Sequence, residues 1–188
     1  MRFPHHLRTA FDHAIQQLRD GRPGESGYGR RIALVLTIPT YEDPVARDIR
    51  RSASGELYVV RTVWSRALDV AAAGPQRTAR VAASRYTLMP AVELTTLQKP
   101  SLRSQRVNVD PVALDALLES VLSATVCCRP QHSEPPLDAT VYELTFGEEL
   151  HETRYRWSGV APRDWLALEE FASRLIRLVD QPAAAGVR

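Results

Sequence analysis

Glu148, Glu149 and Glu152 crowd three carboxylates into the five residues EELHE. Neighbouring carboxylates can divide acid and base roles when one of them is desolvated enough to hold its proton. Here they follow Gly147 between two segments of strand pattern, so the tip of a hairpin is their expected place. At an exposed tip all three stay ionised, and the plain reading is a solvated acidic turn. Its functional counterpart is a protein contact, because three like charges on one short turn make a local negative field that steers a basic partner. Glu148, Glu149 and Glu152 are therefore the candidate partner-binding residues; no catalytic residue, cofactor site or metal site is assigned.

The other residues with chemical potential fall short on spacing. Gly24-Glu25-Ser26-Gly27-Tyr28-Gly29 has Tyr28 where a nucleophile elbow needs glycine, and Ile32 where a dinucleotide fingerprint needs its third glycine. The segment also leads into a strand rather than out of one, so it reads as a linker. Lys99 is followed by Pro100, which removes a phosphate-loop lysine. His6 and His13 could share a helix face but have no Cys, Asp or Glu at i+4 to complete a metal shell, and Glu-x-x-His occurs only in solvated form, so His5, His6, His13, His132 and His151 read as surface residues. Adjacent Cys127 and Cys128 supply at most two ligands and would close only a strained bridge, so they read as small buried hydrophobes in a reducing compartment.

Of the 24 basic residues, 23 are arginines and Lys99 is the only lysine. Arginine forks suit phosphates, which raises nucleic-acid binding as a question. The 22 acidic residues are interspersed and no basic block forms, so the skew points instead to a GC-rich bacterial coding sequence, and no nucleic-acid partner is expected. The apolar fraction of 44% over 188 residues suffices for a self-supporting core. MRFPHHLRTAFDHAI has no uninterrupted apolar run, and no stretch would span a bilayer, so a cytoplasmic protein without membrane contact is expected.

The elements that must hold these residues are legible in the periodicity. Leu7, Phe11, Ala14, Ile15 and Leu18 predict a first helix, which the glycine-rich connection at 22–30 would let pack loosely. RIALVLTIP, residues 31–39, is apolar on both faces and predicts a central strand. Residues 45–66 predict a hairpin about Ser-Ala-Ser-Gly, with a short helix at 44–51 as the competing reading. Residues 70–100 carry weak signals, with one or two extended segments interrupted by Pro90. Asp110 and Pro111 open a helix whose buried stripe is Leu114, Leu117, Leu118, Val121 and Leu122, and a proline-rich loop follows at 129–138.

TVYELTFGEELHETRYRWSG predicts an antiparallel hairpin, with Tyr142, Leu144, Phe146, Tyr155 and Trp157 inward and Arg154 and Arg156 on the other face. Gly159 and Pro162 turn the chain into a last helix whose stripe is Trp165, Leu168, Ala172, Leu175 and Val179. On this reading Trp157 and Trp165 anchor the core rather than bind a ligand. The expected architecture is a single α+β domain over 1–188. It comprises an N-terminal helix (1–21), the connection (22–30), a main body (31–180) and a tail (181–188), with N-terminal, middle and C-terminal helices on an antiparallel sheet.

VRTVWSRALD at 60–69, PLDATVYELTFG at 136–147 and RYRWSGVAPRDWLALEEF at 154–171 together resemble a loose group of small, uncharacterised bacterial α+β proteins. In that group an LDG-like turn leads into Tyr-Glu-Leu, then an Arg-x-Arg-Trp strand, then Pro-x-x-Trp-x-x-Leu. This chain departs from the pattern at Ala139 and Ser158. Proteins of this look are similar to the immunity proteins that protect bacteria from delivered toxins. The resemblance implies a non-enzymatic protein that acts by affinity on a cognate toxin. An interaction module for another partner and an enzyme without a recognisable motif are the alternatives.

Overall fold

β1 (Arg30–Ile38) forms the middle of the fold because both of its faces are apolar and both are covered. In the computed structural model, which describes residues 5–21, 29–69, 99–127, 138–147 and 151–181, β1 lies between β2 (Val45–Arg51) and β5 (Val141–Phe146). With β3 (Leu57–Trp64), β4 (Leu102–Val107) and β6 (Thr153–Ser158) these strands form one six-stranded sheet in the order β4-β3-β2-β1-β5-β6. Every pairing is antiparallel.

The period-two alternation of the strands sorts side chains between two cores. Ala33, Val35, Ile49, Val59, Leu144 and Trp157 face α2 (Pro111–Leu122) and α3 (Leu166–Asp180). On the opposite face Leu34, Leu36, Ile38, Ala46 and Trp64 pack against α1 (His5–Asp20). The α+β architecture with three helices on an antiparallel sheet is thus the one the sequence predicts.

Local chemistry sets the helix starts. The Asp110 carboxylate accepts from the Val112 N–H at 3.0 Å, and Pro111 occupies the first turn, where no donor is needed. Arg163–Trp165 forms a single 3-10 turn, with the Trp165 N–H donating to the Pro162 carbonyl at 2.7 Å, before α3 begins. Trp165 is 8% exposed; its ring meets Tyr155 edge-on at 5.4 Å and its indole N–H donates to the Cys127 carbonyl at 2.8 Å. The aromatic corner is therefore core, and the stripe Trp165, Leu168, Ala172, Leu175 and Val179 is buried throughout.

Three expectations change, and at residues 45–66 the expected hairpin holds over its competing helix. α1 is not loosely held: Ala14, Ile15 and Leu18 are buried, and an ion pair at Arg19 ties its last turn to β5. Residues 45–51 are strand rather than helix, because alternation places Ala46 and Asp48 on one face and Arg47 and Ile49 on the other. Leu122, expected in the buried stripe of α2, is 65% exposed; it is the last residue of the helix and the sheet does not reach it. Cys127 is at the surface, because what the core takes from that segment is its backbone carbonyl. Cys128, the extended segments expected around Pro90 and most of the proline-rich loop lie outside the described residues.

β4 went unread because LRSQRV is an edge strand with only Leu102 and Val107 apolar, and an edge needs no continuous hydrophobic run. No described helix is long and apolar enough to cross a membrane.

Candidate functional site

Many charged side chains are already committed to holding the fold. On the α1 face, Arg19 forks Glu143 through Nε at 2.6 Å and Nη2 at 2.8 Å, and Arg154 stands 3.6 Å from the same carboxylate. Beside it Arg31 forks Asp48 at 3.0 Å on each oxygen, and Arg50 Nε donates to Asp48 at 2.8 Å. Arg31 also donates to the Arg19 carbonyl at 2.7 Å, which satisfies an open acceptor at the end of α1. Hydrogen bonding to Glu143 raises the Arg19 pKa above its ordinary value, against the lowering effect of burial. Guanidinium donors on both oxygens favour the ionised form of each carboxylate.

A second cluster closes the opposite face. Arg47, 4% exposed, donates to Thr37 Oγ1 at 3.1 Å and forks Asp180, which also accepts from Arg61 Nε at 3.0 Å. Burial works to raise Asp180, but hydrogen bonds and charge from Arg47 and Arg61 outweigh it and hold the carboxyl below its ordinary range. An acid at a helix C-terminus meets the negative pole of the dipole, and these two arginines offset that cost. Both clusters rivet helices to the sheet.

Exposed side chains occur at both ends of the sheet, Tyr41 and Val160 at one and Glu152 and Val112 at the other, and the second end groups carboxylates with an exposed aliphatic residue. Antiparallel register brings the β2–β3 turn, the start of α2 and the β5–β6 turn to the same end, since Arg51 pairs with both Arg30 and Leu57 while Ala33 pairs with Phe146. β3 and β5 are three strand spacings apart, about 14 Å. The two turns therefore fit within the footprint of one protein partner, roughly 800 Å² on each side.

Of the acidic tip, Glu152 is described. It is exposed, and Arg154 donates to it from Nε at 3.1 Å and from Nη2 at 2.5 Å, so part of its charge is compensated. Glu148 and Glu149 lie outside the described residues. The base of the turn is tightly set: Gly147 has φ +91°, its N–H donates to the Ile32 carbonyl at 3.2 Å, and a Cβ there would sit 2.3 Å from the His151 carbonyl oxygen. Only glycine fits that base.

Across this end lies an open cleft of about 530 Å³ between the β2–β3 turn and α2. Leu57, Pro111, Val112 and Ala116 supply its apolar surface, Glu56, Asp115 and Glu119 its carboxylates, and Arg51 its guanidinium. Val112 is 76% exposed, a large aliphatic side chain left on the outer flank of α2. The sequence reading missed this cleft. Its signal was Val112, which falls off the buried stripe, with Asp115 and Glu119 following at i+3 and i+7 on the same flank. The opposing wall is visible only once β2 and β3 pair.

Among the described residues no group of three histidine, cysteine or acidic side chains is placed to hold a metal ion. Comparison with protein-family models, with curated proteins and with solved structures returned no match to this chain.

Proposed function

We propose that this protein is a non-enzymatic binding protein, an immunity factor that neutralises a bacterial toxin by direct protein–protein contact. The observation that supports the reading is the chemistry of the carboxylate-bearing end of the sheet. There the bare aliphatic side chain of Val112 adjoins the carboxylates of Asp115, Glu119 and Glu56 around an open cleft, on the side of the molecule that also carries Glu152. An apolar patch with a net negative rim, three carboxylates against Arg51, is suited to a protein surface of net positive charge: the patch supplies dwell time and the rim supplies encounter rate. Rigidity favours the same role, because the arginine rivets fix both helix layers and a preordered surface loses less entropy on binding.

The partner on this reading is a basic toxin, blocked by occlusion and contacted by Glu148, Glu149 and Glu152 at the rim. The test is co-expression with neighbouring open reading frames, followed by pull-down and a growth-rescue assay. Wild-type protein should rescue growth. The triple variant E148K/E149K/E152K should associate more slowly, and the difference should shrink as salt rises, since exposed charges are screened over about 8 Å at physiological ionic strength. Unchanged association by the triple variant removes the tip from the interface. Turnover of a small molecule with no protein partner overturns the binding reading.

A further inference from the structure

We infer that the cleft between the β2–β3 turn and α2 seats one basic side chain of the partner protein, an arginine or lysine, its aliphatic stem lying along Leu57 and Val112 and its charged head between Asp115 and Glu119. The inference rests on the binding reading above and gives it a specific anchor.

Four observations carry it. The first is shape: the cleft, about 530 Å³, is open to solvent, so it admits a group projected from another surface rather than enclosing a free ligand. The second is the lining. Leu57, Pro111, Val112 and Ala116 form an apolar wall beneath polar edges, the division that a long basic side chain matches with an apolar stem and a charged head.

The third is charge. Three carboxylates against the single guanidinium of Arg51 leave the lining at −2. Glu56 is engaged by Arg106 at 3.0 Å, but Asp115 and Glu119 make no ion pair among the described residues. That contrasts with Asp48, Glu143, Glu152 and Asp180, each of which an arginine already forks or bridges. The i, i+4 spacing of Asp115 and Glu119 brings their side chains together one above the other, so two like charges repel until a cation lies between them. The fourth is position. The positive pole of the α2 dipole is confined to its first turn, and Asp115 and Glu119 stand beyond it, where their field is not offset.

The inference is tested first without a toxin. Isotope-labelled protein is titrated with the blocked peptide acetyl-Ala-Leu-Arg-Leu-Ala-amide and with its citrulline analogue, which keeps the shape and removes the charge. Amide shifts confined to residues 51–57 and 112–119 are expected with the arginine peptide and should weaken with salt. They should fall at least severalfold with citrulline or in the D115N/E119N variant. Both side chains are exposed, so that variant should unfold at the wild-type temperature. Equal shifts with the two peptides, shifts elsewhere, or no shifts overturn the inference. So does equal response to free guanidinium ion, which would mark a small-cation site.

The second arm uses the partner recovered by co-expression. D115K/E119K should weaken its binding on the order of tenfold or more, because a partly desolvated charge pair is reversed. Undiminished binding by that variant overturns the cleft and leaves the binding reading standing. A positive peptide arm with no toxin partner does the reverse.

Discussion

Replacing Trp165 with alanine tests whether the aromatic corner is architecture or recognition surface. The indole is 8% exposed, lies edge-on to Tyr155 at 5.4 Å and to Trp157 at 6.4 Å, and donates to the Cys127 carbonyl. A buried tryptophan hides about 200 Å², and at roughly 25 cal/mol per Å² its removal forfeits up to about 5 kcal/mol. The unfolded chain already hides part of that area, so the expected loss is about 3 to 5 kcal/mol, the usual range for emptying a large aromatic site. For a chain of this size each kcal/mol moves the melting temperature by about 2 to 4 °C, so a fall of roughly 6 to 20 °C is expected. Trp165→Phe keeps most of the ring and loses the hydrogen bond, so it should cost less than the alanine variant by at least about 1 kcal/mol. Urea unfolding followed by far-ultraviolet circular dichroism measures both without relying on tryptophan emission. A loss below about 1 kcal/mol for Trp165→Ala would refute the reasoning, since a ring that supports the core cannot leave at so small a cost.

Glu143→Gln removes the charge and one acceptor from the Arg19 fork, and because Arg19 is 19% exposed while Glu143 is 1% exposed it should cost about 1 to 3 kcal/mol and loosen α1, seen as faster amide exchange in 14–19 than in α3. Asp180 has its folded pKa lowered, so the stability it contributes is present above the unfolded carboxyl range and is lost as pH falls through the folded value. Melting temperature should therefore drop more steeply on the acid side in wild type than in Asp180→Asn, and parallel curves would contradict the pairing with Arg47 and Arg61. Gly147→Ala places a Cβ 2.3 Å from the His151 carbonyl oxygen at φ +91°; it should destabilise by more than about 2 kcal/mol in urea titrations, against about 1 to 2 kcal/mol for Gly55→Ala, which shares the left-handed strain at φ +88° but meets nothing within 4 Å.

Much of the architecture was legible because its signals are local. A run apolar on both faces marked β1, period-two alternation marked both hairpins, Asp110 and Pro111 marked the start of α2, and the stripe from Trp165 to Val179 marked α3. Those patterns record which face of an element must avoid water, and a few neighbouring residues suffice to state it. The candidate site was only half legible. The sequence proposed the acidic tip, where charges are contiguous, and missed the cleft, whose walls come from Glu56 and Leu57 on one side and Asp115 and Glu119 on the other.

What tertiary structure alone decided is who meets whom. Periodicity did not order the strands as β4-β3-β2-β1-β5-β6 or place an unremarkable LRSQRV at the edge. Nor did it pair Arg19 with Glu143, 124 positions away, or Arg47 with Asp180, 133 positions away. It assigned Leu122 and Cys127 to the interior, and packing left both outside. The reason is physical: burial of a face depends on local pattern, whereas the choice of partner depends on register, strand order and the reach of side chains across the chain, none of which a short window of sequence contains.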